Sequence, residues 1–427
     1  MINMLNRLFN SHASFYRNSL ILMISTGVSQ AIPVLVSPFL SRLFKPEEFG
    51  VMALFLTVAA ALSILATGRL ELAVVMPETD KEAAKVARLG IEFSLGVSIL
   101  LGLIFSVAQN NALFFIKVPH TFKPYYIWLG PAIFLYSVYQ LISYWLLRKN
   151  AYWASGINKI SQTSSTTAIN LLTGVFKLNT GLIFSEIIGR LVGTVMGYYQ
   201  SIKNGFQWPS LKKAERKTLI HRYRKFIYFG SFPAFLDSLS SNLPVLFLTS
   251  WYSVETTGYF QLSRMVLIIP IALISSAFSQ VLLRKTIELK NSQMPLSRWY
   301  FRIALVLTIC FFPFFIILTT SGVEVFQFIF GAEWGKSGLF ATILAGSYYM
   351  RFVVAPLSSV FPALEKVKIS GGWQIFYSVV LGSLIFLKGL DVEQFLYVLL
   401  IAEIISYSVY LILIIQTIRR FDNALVA

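Results

Sequence analysis

Four arginines lie inside or at the edge of long apolar segments of this 427-residue chain: Arg69, Arg190, Arg264 and Arg351. A charged side chain at the centre of a membrane helix costs roughly 2.5–3.5 kcal/mol, so such residues face a cavity or a partner charge rather than lipid. A guanidinium also suits bidentate binding of phosphate. The sequence therefore predicts a cationic interior that binds an anion, with these four arginines as candidate residues.

Each arginine also has a structural interpretation. Arg190 follows Glu186 by four residues, which slightly favours an ion pair within one helix. Arg69 lies near the end of its segment, where it can snorkel or pair with a nearby glutamate. Arg264 is within snorkelling reach of the other end, and we favour a functional role there. Arg351 lies near mid-segment, and for it function and structural pairing stay equally open.

Among the acidic residues, Asp237 is the candidate for coupling transport to an ion gradient. It lies between Pro233 and Pro244, next to serine and asparagine oxygens that could complete a Na⁺ shell. A carboxylate inside a membrane can instead exchange protons. The alternative is a structural ion pair with an arginine. Glu186 and Glu403 occupy matched places in the last segment of each half, which suggests a packing role.

The amino-acid composition indicates a membrane protein rather than a soluble one. Hydrophobic residues make up 56% of the chain and charged residues 13%, about half the usual charged share of a soluble domain. The net charge of +17 comes from residues that flank apolar runs, which does not indicate a nucleic-acid partner. One cysteine, three scattered histidines and no phosphate-binding loop predict no metal site, no cofactor and no ATPase.

Apolar runs bounded by charged and turn residues predict twelve membrane spans. They are Ser19–Leu40, Phe49–Gly68, Gly90–Gln109, Tyr125–Leu147, Ile160–Phe176, Gly181–Ile202, Phe226–Tyr252, Gly258–Leu283, Ile303–Thr320, Gly338–Phe361, Ile369–Leu387 and Phe395–Ile418. With both termini in the cytoplasm, 25 of the 36 basic residues fall in cytoplasmic segments and 7 outside, as the positive-inside rule requires. The longest external connection, Ser321–Ser337, is too short for a domain.

The two halves of the chain repeat. "IPVL" at Ile32 recurs as "LPVL" at Leu243, "FGVMAL" at Phe49 matches "TGYFQL" at Thr257, and "SEIIGR" at Ser185 matches "AEIISY" at Ala402. The offsets lie close to half the chain length. We therefore predict an all-α membrane protein with two six-helix lobes, residues 1–202 and 226–427, joined by a basic cytoplasmic connection, 203–225. An even number of spans relates the lobes by an axis along the membrane normal, as in transporters with parallel repeats.

Two prolines interrupt each of the first and seventh spans, Pro33 and Pro38 in one and Pro233 and Pro244 in the other. Proline removes a backbone donor and bends a helix. The prolines predict either a pair of gating helices or static kinks. Tyr348, Tyr349, Trp373 and Gln374 could contact sugars, although most aromatic residues of such a chain face lipid.

The stretches "LFKPEEFGVMALF" from Leu43, "TGYFQLSRMVLIIP" from Thr257 and "VFQFIFGAEWGKSG" from Val325 resemble polysaccharide transporters of the Wzx, or O-antigen flippase, type. These belong to the multidrug/oligosaccharidyl-lipid/polysaccharide (MOP) exporter superfamily. The resemblance covers most of the chain. It implies a V-shaped, MATE-like fold around a central cavity. It also implies translocation of an undecaprenyl-pyrophosphate-linked oligosaccharide to the outer leaflet of the bacterial inner membrane.

The resemblance implies lipid-linked oligosaccharide and membrane lipids as partners, and a polysaccharide polymerase and other assembly proteins beside them. Three alternatives remain. A multidrug exporter of the same superfamily would suit cationic drugs, but here arginines outnumber acids inside the spans. A peptidoglycan-precursor flippase typically has two further spans. A membrane polysaccharide polymerase, which would be an enzyme, needs long external loops. We expect a transporter and not an enzyme.

Overall fold

The computed structural model describes residues 24–107, 120–178 and 180–426. The regular secondary structure of these ranges is helical, and they contain no β-strand. The predicted all-α fold class is therefore confirmed. The amphipathic N-terminal segment, the beginning of the first predicted span and the end of the third lie outside the described residues.

The helices form two compact units. The first comprises the described residues up to Phe44 and Val51–Leu239. Its helices are α1 (Ile24–Leu43), most of α2 (Pro46–Thr67), α3 (Leu70–Ala73), α4 (Asp80–Val107), α5 (Tyr126–Arg148), α6 (Tyr152–Val175), α7 (Gly181–Lys203), α8 (Lys213–Lys225) and most of α9 (Ser231–Ser241).

The second unit comprises Lys45–Gly50 and the described residues from Ser240 onward. Its helices are α10 (Leu243–Trp251), α11 (Val254–Asn291), α12 (Ser297–Phe330), α13 (Gly335–Leu357), α14 (Val360–Ala363), α15 (Val367–Ser383) and α16 (Val392–Val426). The lobe boundaries predicted from the sequence stay a prediction, since the division between the units falls inside α9.

Nine helical segments of the described residues are long and apolar enough to cross a membrane. The remaining predicted spans, the fifth, seventh and eighth, coincide with α6, with α9 and α10, and with α11. The chain is a multi-pass membrane protein. Within the described residues, every predicted span thus corresponds to helix, while the number twelve itself stays a prediction.

The fifth predicted span is polar because its polar face packs against α7. Thr166, Asn170 and Thr173 are buried there. A Cβ atom at Gly189 of α7 would lie 1.9 Å from Thr166 Oγ1, so only glycine allows the two helices to approach so closely. Small residues at helix contacts are typical of membrane bundles, whose association depends on close packing.

Helix α12 extends beyond the predicted ninth span. The chain leaves helical geometry at Ser321 (φ −138°) and then continues in helix to Phe330, through what we predicted as an external connection. Gly322, immediately after this kink, lies against Thr342 of α13, and Phe326 and Phe330 are buried. The extension forms because these apolar side chains are covered by protein.

The seventh span is broken. A π-helical turn, Phe226–Gly230, precedes α9, and the helix stops at Asn242 before α10 begins. Pro244 therefore lies in the first turn of a new helix, where its missing N–H costs little, and does not kink a helix interior. By contrast, α1 is continuous through Pro33 and Pro38, so these residues do not interrupt it. Gating by the prolines stays a prediction.

The beginnings of α2 and α11 cross at two glycines of the second unit. A Cβ atom at Gly50 would lie 1.8 Å from the carbonyl oxygen of Val254, and one at Gly258 would lie 1.7 Å from the carbonyl oxygen of Pro46. Gly50 and Gly258 are equivalent in the "FGVMAL" and "TGYFQL" repeat, and so are Pro46 and Val254. The contact is therefore reciprocal in sequence, because each glycine approaches the residue equivalent to the partner of the other.

Helix α8, in the basic connection, is held against the beginning of α4 by ion pairs. Lys85 pairs with Glu215 at 2.5 Å, Arg216 pairs with Glu92 at 2.8 Å, and Arg222 pairs with Glu82. Leu219 and Tyr223 are buried on the same side. A single surface ion pair contributes little stability. The packing of α8 against α4 therefore depends on several ion pairs together and on the buried side chains.

Candidate functional site

The second unit contains a cavity of about 270 Å³ that holds two of the four predicted arginines, Arg264 and Arg351. Arg264 comes from α11 and Arg351 from α13, and α15 and α16 complete the walls. The lining is unusually polar for the interior of a membrane protein. It consists of Ser241, Pro244, Phe260, Arg264, Tyr348, Arg351, Ala355, Ser358, Trp373, Gln374, Tyr377, Glu403, Tyr407 and Tyr410.

Arg264 is positioned by the break in the seventh span. Its Nη1 atom donates a hydrogen bond to Oδ1 of Asn242 at 3.0 Å. Asn242 is the residue between α9 and α10, so its amide is available because the helix stops there. The second guanidinium nitrogen and Nε give Arg264 further donors, which a bound anion can use.

Arg351 lies among hydroxyl groups rather than in a close ion pair. Tyr348, Tyr377 and Tyr407 surround it, and Glu403 is near enough to attract its charge. No carboxylate of the described residues lies within ion-pair distance of the Arg351 guanidinium. Two arginines and one glutamate give the cavity a net positive charge.

An aromatic stack forms one wall of the cavity. The rings of Trp373 and Tyr410 lie 3.9 Å apart, with an angle of 11° between their planes. The Trp373 indole N–H donates to the carbonyl oxygen of Ser406 at 2.8 Å, and the hydroxyl groups of Ser370 and Tyr410 are 2.8 Å apart. These bonds hold α15 to α16, so the wall is rigid.

Such a cavity can bind an anionic group beside a polar, ring-shaped one. Guanidinium groups bind phosphate oxygens through charge-assisted hydrogen bonds. The tyrosine hydroxyls, the Gln374 amide and the Glu403 carboxylate offer donors and acceptors of the kind that sugar hydroxyls need. Of the suggested sugar contacts, Tyr348, Trp373 and Gln374 line this cavity. Tyr349 is not among the lining residues, and its ring packs against those of Phe311 and Phe315.

The lining residues that were not predicted as site residues include Tyr377, Glu403, Tyr407 and Tyr410. The sequence carried a signal for three of them, because Glu403, Tyr407 and Tyr410 follow a spacing of four and three, which places them on one helix face. The structure also places Glu403 in the cavity wall, although the sequence suggested a packing role for it.

Arg69 lies in the first unit, at the tight turn between α2 and α3. Its backbone is left-handed (φ 56°), and its Nη1 atom pairs with the buried carboxylate of Glu71 at 3.3 Å. The structure thus supports the ion-pair alternative for Arg69. A substrate contact by Arg69 stays a prediction.

Arg190, also in the first unit, is enclosed by aromatic rings. Its guanidinium carbon lies 3.8 Å from the centre of the Tyr136 ring and 5.1 Å from that of Tyr139. In the amide orientation that satisfies all partners, Gln162 accepts from both terminal nitrogens of Arg190 at 3.2 Å and donates to the Tyr139 hydroxyl at 3.2 Å. Glu186 adds an attractive charge. A substrate role for Arg190 stays a prediction.

The Arg190 cluster and the Arg351 cavity are equivalent in the internal repeat. Tyr136, Tyr139 and Gln162 correspond to Tyr348, Arg351 and Gln374 at an offset of 212, and Glu186 and Arg190 correspond to Glu403 and Tyr407 at an offset of 217. Each half therefore carries tyrosine, glutamine, glutamate and one arginine on equivalent helices. The two sets differ in one exchange: the first half has Tyr139 and Arg190 where the second half has Arg351 and Tyr407.

Asp237 lies on α9 with an exposed side chain, five residues before the break at Asn242. Its role in ion coupling stays a prediction. Among the described residues, no group of three histidine, cysteine, aspartate or glutamate side chains could hold a metal ion.

Solved structures with a similar fold are transporters. The chain is similar to a multidrug resistance transporter of the MATE family, MOP superfamily, solved in an inward-facing conformation (14% identity, TM-score 0.71, 94% of this chain and 99% of that one). It is similar to the lipid II flippase MurJ in an inward closed conformation (14% identity, TM-score 0.70, 95% and 91%). A MOP transporter from Pyrococcus furiosus, described as having a binding pocket of reverse polarity, matches with a TM-score of 0.59 at 15% identity, over 95% of each chain. The molecule has the fold of MOP-superfamily transporters.

Residues 39–338 match the family described as polysaccharide biosynthesis protein, so the chain belongs to that family. No protein of curated function matches it. Family and fold together confirm the resemblance to Wzx-type flippases of the MOP superfamily that the sequence indicates.

Proposed function

We propose that this protein flips an undecaprenyl-pyrophosphate-linked oligosaccharide from the cytoplasmic to the outer leaflet of the bacterial inner membrane. The repeat unit would belong to O-antigen, capsule or a related polysaccharide. Both termini lie in the cytoplasm in this proposal. Membership of a polysaccharide biosynthesis family and the MOP transporter fold support it.

One observation carries the proposal: Arg264 and Arg351 line the same cavity. A pyrophosphate diester carries two negative charges, and each of the two guanidinium groups can bind one of its phosphates. Since both side chains project into a space walled by protein, the anion would lose little attraction to screening by bulk water. Lysine would supply charge but not the planar donor pair that matches two phosphate oxygens.

The aromatic wall supports a sugar next to the phosphate. Trp373 and Tyr410 present a flat, fixed surface, and Gln374 and Tyr377 line the cavity beside it. A cavity of about 270 Å³ has room for part of a headgroup, so it would recognise the pyrophosphate and the adjoining sugar while the remaining sugars extend beyond it.

Transport needs alternating access and a source of energy. The break at Asn242 would allow the seventh span to bend, with Pro233, Pro244 and the first-span prolines Pro33 and Pro38 as gating elements. Asp237, close to that break, would couple bending to H⁺ or Na⁺. A polysaccharide polymerase that consumes the product outside would favour net export, and membrane lipids would surround the isoprenoid tail.

Two other functions occur among proteins of this fold, multidrug resistance transport and flipping of lipid II. A cationic drug is disfavoured because the cavity has two arginines and one glutamate. Lipid II flipping is chemically close, and membership of the polysaccharide biosynthesis family favours the oligosaccharide.

A vesicle assay tests the function. The purified protein would be reconstituted with a fluorescent undecaprenyl-pyrophosphate oligosaccharide, with lipid II or with a cationic dye, and the inner-to-outer exchange of each would be measured. We expect fast exchange of the oligosaccharide and at least tenfold slower exchange of the others. Equal or faster movement of lipid II or of the dye would contradict the proposal. Arg351→Ala protein serves as the matched control for leakage.

A further inference from the structure

The first unit contains a second cavity, unrelated to the arginine sites. It is a cleft of about 480 Å³ between the beginning of α4 and the connection that follows α7. Lys81 and Lys85 contribute from α4, Trp208 and Lys212 from the connection, and Glu215 from the first turn of α8. We call it the Trp208 cleft.

The connection that carries Trp208 is fixed by contacts with neighbouring helices. The Arg88 guanidinium carbon lies 5.5 Å from the centre of the Trp208 ring, and its Nη1 atom donates to the carbonyl oxygen of Pro209 at 2.5 Å. The ring of Phe206 contacts that of Trp145, with 4.9 Å between centres. The connection is therefore fixed to α4 and α5, and the cleft is preformed.

Both acidic residues of the cleft, Asp80 and Glu215, already form ion pairs with basic side chains of the protein. Asp80 accepts hydrogen bonds from Arg148 at 3.0 Å and from Lys149 at 2.7 Å. Glu215 accepts from Lys85 at 2.5 Å, and this hydrogen bond lowers the pKa of the Glu215 carboxyl below its usual range. Both groups therefore stay ionised at neutral pH, and each is already neutralised by a basic side chain.

Two lysines of the cleft remain for a ligand. Lys81 and Lys212 are exposed, and within the described residues neither ammonium group lies within ion-pair distance of a carboxylate. Lys212 still interacts with Glu215, because its backbone N–H donates to that carboxylate at 3.0 Å and its charge attracts it. With the two carboxylates neutralised, these ammonium groups give the cleft a positive charge. The half-exposed indole of Trp208 adds a flat apolar surface beside them. This combination suits a phosphate attached to an apolar or ring-shaped group.

The depth of the cleft relative to the predicted bilayer agrees with that ligand. Lys85 precedes Gly90, the first residue of the predicted third span, by five residues, about 7.5 Å along the helix. The headgroup layer on each side of a bilayer is about 5–8 Å thick. Lys85 is therefore at the level expected for lipid phosphates. Lys81, nine residues or about 13.5 Å before Gly90, begins outside that layer, and its four-carbon side chain can reach back towards it.

We propose that the Trp208 cleft binds one phosphate-bearing lipid headgroup. Lys81 and Lys212 bind the phosphate oxygens, and Trp208 contacts the group attached to them. The headgroup has two sources. It is that of an anionic phospholipid, or it is the pyrophosphate of the lipid-linked oligosaccharide before it enters the transport cavity; only the second source rests on the proposed function.

Binding of three soluble probes to the full-length protein in detergent tests the cleft. The probes are dioctanoyl-phosphatidylglycerol, geranylgeranyl pyrophosphate and inorganic phosphate, and native mass spectrometry counts the bound molecules. In the Lys81→Gln, Lys212→Gln double variant, the affinity of the cleft for the probe should fall at least tenfold. At a probe concentration that fills the wild-type cleft, this variant should therefore carry one bound molecule fewer. A Lys213→Gln, Lys217→Gln variant makes the same charge change on α8 outside the cleft and should bind as wild type does. Trp208→Ala gives a second, uncharged variant with the same expected loss.

The probes distinguish the two sources. A loss confined to phosphatidylglycerol assigns the cleft to phospholipid, and a loss confined to geranylgeranyl pyrophosphate assigns it to the lipid-linked saccharide. Testing both probes in an Arg264→Ala, Arg351→Ala background removes both guanidinium groups of the transport cavity, so binding to the cleft is measured independently of the proposed function. Equal weakening in the Lys213→Gln, Lys217→Gln variant, no weakening in the cleft variant, or binding of inorganic phosphate alone would overturn the proposal.

Discussion

Arg264 donates a hydrogen bond to Asn242 across 3.0 Å, and this bond joins the cationic cavity to the break in the seventh span. An anion that takes up the donors of Arg264 competes with the Asn242 amide for the same guanidinium. Occupancy of the cavity and the conformation of the break are therefore linked through one side chain. Asn242 has this role because a residue between two helices can direct its amide away from its own backbone.

The first prediction concerns the two cavity arginines. Arg351→Ala should reduce oligosaccharide flipping at least tenfold, and Arg264→Ala should reduce it similarly, because each removes one of two charges that bind pyrophosphate. Lysine at either position should restore activity in part, since it lacks the bidentate donor pair. Flipping in vesicles measures the effect, with Arg302→Ala, an exposed arginine of α12, as control. Normal export by the Arg264→Ala, Arg351→Ala double variant would remove both residues from the site.

The second prediction follows from the repeat. In the first half the arginine stands on α7 at Arg190, whereas in the second half the equivalent α16 position is Tyr407 and the arginine stands on α13 at Arg351. Combining Arg351→Tyr with Tyr407→Arg should therefore return the cation to the same cavity from the opposite helix. We expect the double variant to recover at least a third of wild-type flipping, while Arg351→Tyr alone stays at least tenfold impaired. A double variant that melts normally and is as inactive as the single one would contradict the equivalence.

The third prediction concerns coupling. If Asp237 carries the coupling ion, Asp237→Asn should leave substrate binding unchanged and remove the dependence of flipping on an imposed H⁺ or Na⁺ gradient. Reconstituted protein would be assayed with and without each gradient, and Glu324→Gln gives a matched change of carboxylate to amide at an exposed position of α12, outside the cavity. Undiminished gradient dependence in the Asp237→Asn protein would exclude Asp237 as the coupling residue.

The fourth prediction concerns the glycine crossing. A methyl group at Gly258 would lie 1.7 Å from a backbone carbonyl oxygen, so Gly258→Ala must push α2 and α11 apart. We expect a loss of about 1–3 kcal/mol of stability, the usual cost of overpacking. Thermal unfolding in detergent measures it against Gly371→Ala, where the new methyl group meets no atom within 4 Å. Equal melting temperatures for the two variants would show that the crossing yields without strain.

The fifth prediction concerns topology. Single cysteines at Asn204 and Lys336 would be introduced into a Cys310→Ser background. With both termini in the cytoplasm, an impermeant thiol reagent added outside intact cells should label position 336 and not position 204. Labelling after membrane disruption confirms that both thiols can react. Reaction at position 204 in intact cells would reverse the predicted orientation.

Much of the fold follows from hydropathy alone, because a membrane helix must bury every backbone polar group within itself and exclude charge for about 20 residues. Segments that depart from this rule were harder to delimit. Helix α6 is polar because Thr166 and its neighbours pack against glycines of α7, and α12 continues past Ser321 because its apolar side chains are covered. Hydropathy carries no information about such contacts.

The site was predictable in part. Arg264 and Arg351 could be selected because an arginine in an apolar span demands an explanation. The sequence could not show that they share a cavity or that Arg69 pairs with Glu71, since both facts depend on how the chain folds locally and which helix faces meet. The tyrosines were missed because an aromatic residue in a membrane helix is unremarkable until its neighbours are known.

The exchange of arginine and tyrosine between equivalent places also bears on how relatives should be compared. Either α13 or α16 can then supply the guanidinium group. A sequence comparison that examines only the position equivalent to Arg351 would miss the site in a relative whose arginine lies at the position equivalent to Tyr407. The informative quantity is the summed charge of the residues that converge on one cavity. Distant relatives are then better compared by cavity composition than by the identity of a single column.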